Sequence, residues 1–400
     1  MFFATLRRTY RMSLNTSVGT TTAPFSKAVV SAMRKLYPEA LADKSWDNTG
    51  LLLEAPFDPL RRQMNSVLLT VDLTKAVVDE AIERNDSLIV AYHPIIFRGL
   101  KSLTLANSQQ QSLLRLAAEG ISVYSPHTAI DAAPGGLGDW LADIVSGSAA
   151  PDPTQEQPGD AKETSGDVSS DVVSPTPQDN PFEQPSAKLK RPTFMLHHHP
   201  SQLNVSDCAL KLASTDHARS CIKPVQVDGI SGAGMGRIVR FSSPQPLADI
   251  IDRIGRGLGN PKGFPIAIPQ GKQIGDMSVR SIGLCAGSGG SLLADLDVDL
   301  LFTGELSHHE ALAAIERGQC VITLFHSNTE RGFLHSVLKT QLLDAVKAEW
   351  KRVRKEEKAK GKKDGWSEDY LEALEDEHVE IAVSEVDRDP YGVVISKAEL

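Results

Sequence analysis

Short apolar runs alternate with segments of helical period along this chain, and that alternation constrains its fold more than any other feature. Residues 66–72 read as a strand and 74–84 as a helix with Val77, Val78, Ala81 and Ile82 on one face. Residues 88–91 read as a buried strand, 108–119 as a helix closed by Gly120, and 121–124 as another strand. A helix ending before Pro38 precedes them, with Val29, Met33 and Leu36 at helical spacing. The pattern resumes with a strand at 236–241 and a helix at 246–258. It continues through 279–285, 289–294, 298–302, 307–317 and 320–325, then a long helix from Asn328 and a final strand at 379–384. Such alternation predicts an α/β protein of two α/β lobes with mostly parallel sheets.

Composition sets the boundaries. Residues 146–190 are rich in Pro, Ser, Gly, Asp and Glu, and cannot bury enough apolar area to offset their ordering entropy. They read as a disordered acidic linker between a first lobe at 26–145 and a second at 191–330. Residues 331–400 read as a C-terminal helix with a charged insertion (351–364) and the final strand. That Lys/Arg/Glu run reads as a solvated helix or loop insertion; interleaved Glu356 and Glu357 weaken it as a nucleic-acid patch. The first 25 residues form a basic extension. No Asp or Glu occurs before Glu39, whereas Arg7, Arg8, Arg11, Lys27, Arg34 and Lys35 do. This suits a mitochondrial presequence or an ordinary disordered tail, so the expected location is mitochondrial or cytoplasmic, with the mitochondrion favoured.

A net charge of −9 argues against a general nucleic-acid binder. Cys208, Cys221, Cys285 and Cys320 have no paired zinc-type spacing and read as reduced, mostly buried thiols. No apolar run reaches the roughly 18 residues of a spanning helix.

Chemistry concentrates at strand ends, where parallel sheets place functional groups. Tyr92-His93-Pro94, His127-Thr128-Ala129-Ile130-Asp131 and His326-Ser327-Asn328-Thr329-Glu330 each follow a strand. His93, Asp131, His326 and Glu330 supply two imidazoles and two carboxylates, a donor set for zinc, manganese or iron that can hold one or two ions. His326 and Glu330, four residues apart, share a helix face. The expected metal centre draws its ligands from both halves of the chain. Each histidine alone reads more readily as structural; their coincidence at successive strand ends reverses that preference.

Other segments read with alternatives open. Ser307 and Glu310 form an S-x-x-E capping box, leaving Glu305 and His308 as site neighbours rather than ligands. The turn Gly287-Ser288-Gly289-Gly290 is an anion-site candidate or a tight structural turn, and matches no nucleotide-binding fingerprint. His197-His198-His199 reads as an adventitious metal tract on a loop. Trp46-Asp47-Asn48-Thr49-Gly50 reads as a turn with a buried aromatic, and Asp387-Arg388-Asp389-Pro390 as an ion-paired turn.

Taken in order, these segments resemble the Nif-three-like family, also called the GTP cyclohydrolase I type 2 family. The resemblance rests on Trp46-Asp47-Asn48-Thr49-Gly50-Leu51, Tyr92-His93-Pro94, His127 to Asp131, Gly236-Arg237-Ile238, Leu284 to Leu292, Gly304 to His309 and His326 to Glu330. It covers residues 25 to 397 apart from the linker and the charged insertion. It implies a dinuclear metal site on His93, Asp131, His326 and Glu330, in a metal cleft between the two lobes, and assembly into a homohexamer. It implies either a hydrolase-like activity of the GTP cyclohydrolase kind on a nucleotide or phosphate ester, with Glu330 catalytic, or a non-catalytic metal-binding protein acting with transcription regulators. Bacterial members carry two histidines where this chain has Tyr92-His93, which makes Tyr92 and His127 site neighbours to follow.

Overall fold

The computed structural model describes residues 21–59, 63–147, 194–199, 215–364 and 366–396. The presequence reading of the first 20 residues and nearly all of the 146–190 linker lie outside them. The described residues divide into two compact units: one within 1–137, 221–236 and 330–387, the other within 138–220, 237–329 and 388–400.

The first unit holds a five-stranded sheet in the order β1 (Gly50–Leu53), β4 (Ser122–Ser125), β3 (Asp86–Ala91), β2 (Met64–Thr70) and β12 (Glu380–Val383). Only the edge pair β1–β4 is antiparallel; β4–β3, β3–β2 and β2–β12 run parallel. Parallel strands need crossovers, and helices Lys75–Arg84 and Ser108–Glu119 supply them. Each is bounded by its own sequence. The Thr74 hydroxyl accepts from the Val77 amide, the Asn107 side chain from the Gln109 and Gln110 amides, and Gly120 closes its helix at φ +79°. One sheet face buries Leu68, Ile89 and Val123 against Val77, Val78, Ala81, Leu113 and Leu116. Helix Pro24–Leu36 packs along the long helix Lys339–Asp364, with Phe25 edge-on to Trp350 at 5.5 Å. The charged run 351–364 is therefore helix, and Arg352 pairs with Glu349 and Glu356 one turn away on either side.

The second unit is built on a six-stranded sheet ordered β6 (His217–Pro224), β7 (Gly234–Pro246), β9 (Ser278–Leu284), β10 (Leu300–Thr303), β11 (Cys320–Thr323) and β8 (Ile266–Ala267). Here β9–β10–β11 are parallel, while β7 and β8 pair antiparallel on either flank. The α/β class follows the sequence reading, with this second sheet mixed. Ile282, Leu284, Leu300, Phe302 and Ile322 are wholly buried, as their near-continuous apolar runs require. A short strand absent from the sequence reading, β13 (Val393–Ser396), pairs with β5 (Phe194–His197). His197 thus ends a strand and His199 is buried, its Nε2 at the Leu258 carbonyl, so the histidine tract is folded rather than a loose loop.

Candidate functional site

In the first unit, parallel register carries three chain segments to one end of the sheet. Beyond β2 and β3 the ladder continues as Tyr92 N–H to the Thr70 carbonyl (2.9 Å) and His93 N–H to the Val71 carbonyl (3.0 Å). This sets Asp72 beside His93, and the His93 Nδ1–H donates to Asp72 Oδ1 at 2.9 Å. The opposite ring nitrogen, Nε2, lies 3.5 Å from Oε2 of Glu330, a carboxylate only 3% exposed on helix Asn328–Phe333. Past β4, the Ser125 hydroxyl donates to the Tyr92 carbonyl (2.9 Å) and the chain turns into helix His127–Ala132. There the Tyr92 hydroxyl donates to Asp131 Oδ1 at 2.7 Å.

His127 sits at φ +30°, a strained value for a residue with a Cβ, and its ring is fixed from behind. Its Nδ1–H donates to Asp47 Oδ1 at 2.7 Å, while the other Asp47 oxygen accepts from the Thr49 hydroxyl at 2.6 Å and from Thr128. The rings of Tyr92, His93 and His127 meet edge to face with centroids 5.0–5.4 Å apart.

Electrostatics follow from burial and neighbours. Burial works against charge on His93, but Glu330 and Asp72 on either side outweigh it and raise its pKa to about 11. Burial pushes Asp131 up to about 6, against the pull of His127 and the Tyr92 hydroxyl, with Glu330 adding to the rise. The Tyr92 phenol is raised well above its ordinary value by burial and then by Asp131 and Glu330, so it stands as a neutral donor rather than an anionic ligand. Asp47 is held below the ordinary carboxylate range; burial opposes this, but His127 and the Thr128 and Thr49 hydroxyls prevail.

In the second unit, β9, β10 and β11 end on a close approach of backbone. A Cβ on Gly304 would fall 2.6 Å from the Gly287 carbonyl oxygen and 2.8 Å from that of His326, so only glycine fits. Phe325, at φ +65°, turns the chain into His326, whose Nδ1 meets Glu305 Oε1 at 2.9 Å. The Thr329 hydroxyl donates to the His326 carbonyl (2.8 Å) and accepts from the Gly287 amide (2.9 Å). Asp389 accepts from both the amide and the hydroxyl of Ser327. The Gly287–Gly290 turn is thereby occupied: the Gly289 amide donates to the Glu305 carbonyl, and the Glu310 carboxylate lies against Gly290. Two spent amides and a neighbouring carboxylate favour its reading as a structural turn. The Ser307–Glu310 capping box is formed, leaving His308 exposed in the first helical turn.

His93, Asp131, Glu330, Tyr92 and His127 are thus gathered in the first unit. Glu305 and His308 lie in the second, as does His326, which the chain keeps four residues from Glu330. Sequence reasoning missed Asp72, Asp47 and Asp387. Asp72 had a signal, since it ends a strand as His93 does; Asp47 lay inside a segment read only as a turn. In that segment Trp46 is not buried but 50% exposed, its ring tilted against that of Phe97 (44% exposed) at 5.9 Å and edge-on to His127 at 5.6 Å. Asp387 does form an ion pair, but with the buried Arg331 rather than with the adjacent Arg388.

Comparison with known proteins places this architecture. Residues 26–357 match the family model described as Duf34/NIF3 (NGG1p interacting factor 3). The protein NIF3 homolog of Schizosaccharomyces pombe is 38% identical over 328 residues, covering 82% of this chain and 92% of that protein. The NGG1-interacting factor 3 of Saccharomyces cerevisiae is 33% identical over 328 residues, covering 79% and 90%. Human NIF3-like protein 1 is 30% identical over 384 residues, covering 92% of each. Among solved structures, the Staphylococcus aureus hypothetical protein SA1388 superposes with a TM-score of 0.54 at 18% identity, covering 92% of this chain and 99% of that one. The Bacillus cereus protein related to NIF3 does so with a TM-score of 0.54 at 16% identity, covering 93% and 99%. The likeness to these bacterial proteins is one of fold. With a family match over most of its length and relatives at this identity, the chain belongs to the Duf34/NIF3 family.

Proposed function

We propose that this protein binds divalent metal and acts as a metal-dependent hydrolase-like enzyme, with His93, Asp131, His326 and Glu330 as ligands. The observation that carries this is His93, whose Nδ1–H is taken by Asp72 while Nε2 faces the buried carboxylate of Glu330. An imidazole backed by a carboxylate and facing a second one is the arrangement metal-binding histidines adopt. His93, His326 and Glu330 are the possible metal-binding triad among the described residues. Chain spacing alone keeps His326 within a helical turn of Glu330. Asp131, raised by burial, gains from a cation that offsets its buried charge.

The donor set of imidazole nitrogens and carboxylate oxygens fits zinc, manganese or iron, and would hold one or two such ions. Bound there, the metal would supply Lewis-acid activation of water or of a carbonyl or phosphoryl oxygen. The chain's own part is positional. Tyr92 holds Asp131 through its hydroxyl, Asp72 fixes the His93 ring, and Asp47 fixes the His127 ring. A nucleotide or phosphate ester is the substrate class in this reading. Metal analysis of purified protein, followed by a screen of nucleotides and phosphate esters with wild type and Glu330→Ala, tests it. Less than one ion per chain after anaerobic preparation, with Glu330→Ala unaltered, would sink it.

A second reading has its own support. The Saccharomyces cerevisiae relative is named for interaction with NGG1, and the first unit exposes Trp46, Phe97, Leu100, Leu103 and Leu105, an unusual amount of large apolar surface. In this reading the protein holds metal structurally and works through a transcription-regulator partner or through its own homohexamer. A His326→Ala, Glu330→Ala double variant would then lose stability or assembly, with no turnover to lose.

A further inference from the structure

A closed circuit of polar contacts, buried at Glu330, Arg331 and Asp387 and half-buried at His93 and Asp72, surrounds the His93–Glu330 pair in the first unit. Glu330 and Arg331 are neighbours on one helix. Arg331, 1% exposed, pairs through Nη1 with Asp387 Oδ2, and the same carboxylate accepts the Val71 amide at 2.7 Å. Val71 is followed by Asp72, which accepts from His93 Nδ1–H at 2.9 Å, and His93 Nε2 returns to Glu330 at 3.5 Å. Asp387 is itself fixed by its amide donating to the Ser384 hydroxyl (3.1 Å), just beyond β12. The end of β2, the end of β3, the helix carrying Glu330 and the segment after β12 are therefore tied in one ring of contacts.

We infer that Asp72 is the positioning residue of His93. It would hold the ring in plane with Nδ1–H on Asp72, leaving Nε2, the nitrogen beside Glu330, as the one that would give up its proton to a metal, while the Arg331–Asp387 pair holds Asp72 in place. This inference rests on the metal reading above and assigns a role to a residue outside the proposed ligand set. Two features favour it over a chance ion pair. The backbone of His93 is bonded to Val71, so Asp72 and the imidazole are brought together by strand register rather than by flexible side chains. Asp72 also offers a single short carboxylate arm, whose reach leaves the ring little freedom to rotate.

The test is zinc affinity of the full-length protein, by competition with a chromogenic chelator, for wild type, Asp72→Ala, Asp72→Asn and Asp79→Asn. Asp79 pairs with Arg115 on exposed helical surface and serves as the control. Asp72→Ala is expected to bind zinc about 10–100-fold more weakly, the usual effect of removing such a partner. Asp72→Asn, whose amide oxygen still accepts from Nδ1–H, should fall between Asp72→Ala and wild type, and Asp79→Asn should match wild type. The zinc-free Asp72→Asn protein should still unfold in urea in one cooperative transition, which separates positioning from folding. Wild-type binding that Asp72→Ala equals overturns the positioning role alone. Absence of zinc uptake by wild type removes the metal reading and this role with it.

Discussion

Removal of Arg331 offers the sharpest test of how the site end of the first unit is held. The Arg331 and Asp387 side chains are 1% and 3% exposed, and Asp387 also accepts the Val71 amide. Replacing Arg331 with Met keeps length and apolar contact but strands a buried carboxylate. Breaking a buried pair from one side costs about 3–5 kcal/mol, a large share of the roughly 5–15 kcal/mol that stabilises a domain. Burial already raises Asp387 above the ordinary carboxylate value, against the pull of Arg331, so without Arg331 its folded pKa rises further. A raised folded pKa means the native state holds the proton more tightly. Stability of the variant therefore falls as pH increases past the ordinary carboxylate value, and its deficit is larger at pH 7.5 than at pH 5. Arg331→Met combined with Asp387→Asn removes both charges and keeps an acceptor for Val71. Its expected loss is only about 1–2 kcal/mol. Urea unfolding followed by tryptophan fluorescence, with Trp350 buried in the same unit, measures all three proteins. A loss below about 1 kcal/mol for Arg331→Met, or one equal at both pH values, would refute the reasoning.

Two further outcomes concern other parts of the fold. A Cβ on Gly257 would fall 2.6 Å from Ile144 Cγ2, so Gly257→Ala should cost about 1–3 kcal/mol in urea unfolding. Adding Ile144→Ala should cost less than the sum of the two single changes, because the methyl group in the way is gone. Glu349 gathers Ser31 (2.6 Å), Arg352 (2.8 Å) and Lys35; burial opposes its charge, but these partners hold its pKa down at about 2. A lowered carboxylate pKa contributes stability above the ordinary value near 4.5, lost as pH falls toward 2. Glu349→Gln should thus lose about 1–2 kcal/mol at pH 7, with the gap to wild type narrower at pH 3 than at pH 7.

Much of the local architecture was written in local residues. Thr74, Gly120 and the Ser307–Glu310 box act within a few residues, and each helix they bound is where periodicity put it. Parallel pairing around β3 followed from apolar runs joined by helical crossovers. The strand-end position of His93 was legible for the same reason. Elements without an apolar run or a cap were not: β13 and β5 are short, partly exposed and, among the described residues, paired with each other in a two-stranded sheet. Trp46 misled because indoles are usually buried, whereas here the turn around Asp47 leaves it half in solvent.

By itself, the sequence determined the α/β alternation, the caps and turns that bound it, and the residue types able to hold a metal, since all three depend on period and neighbouring side chains. The tertiary structure decided which carboxylate serves which imidazole. Asp72 reaches His93 across 21 residues, Asp47 reaches His127 across 80, and Asp387 reaches Val71 across 316. Contacts of that separation are set by strand register and burial, which no local pattern encodes, and they determine how firmly His93 and His127 are held.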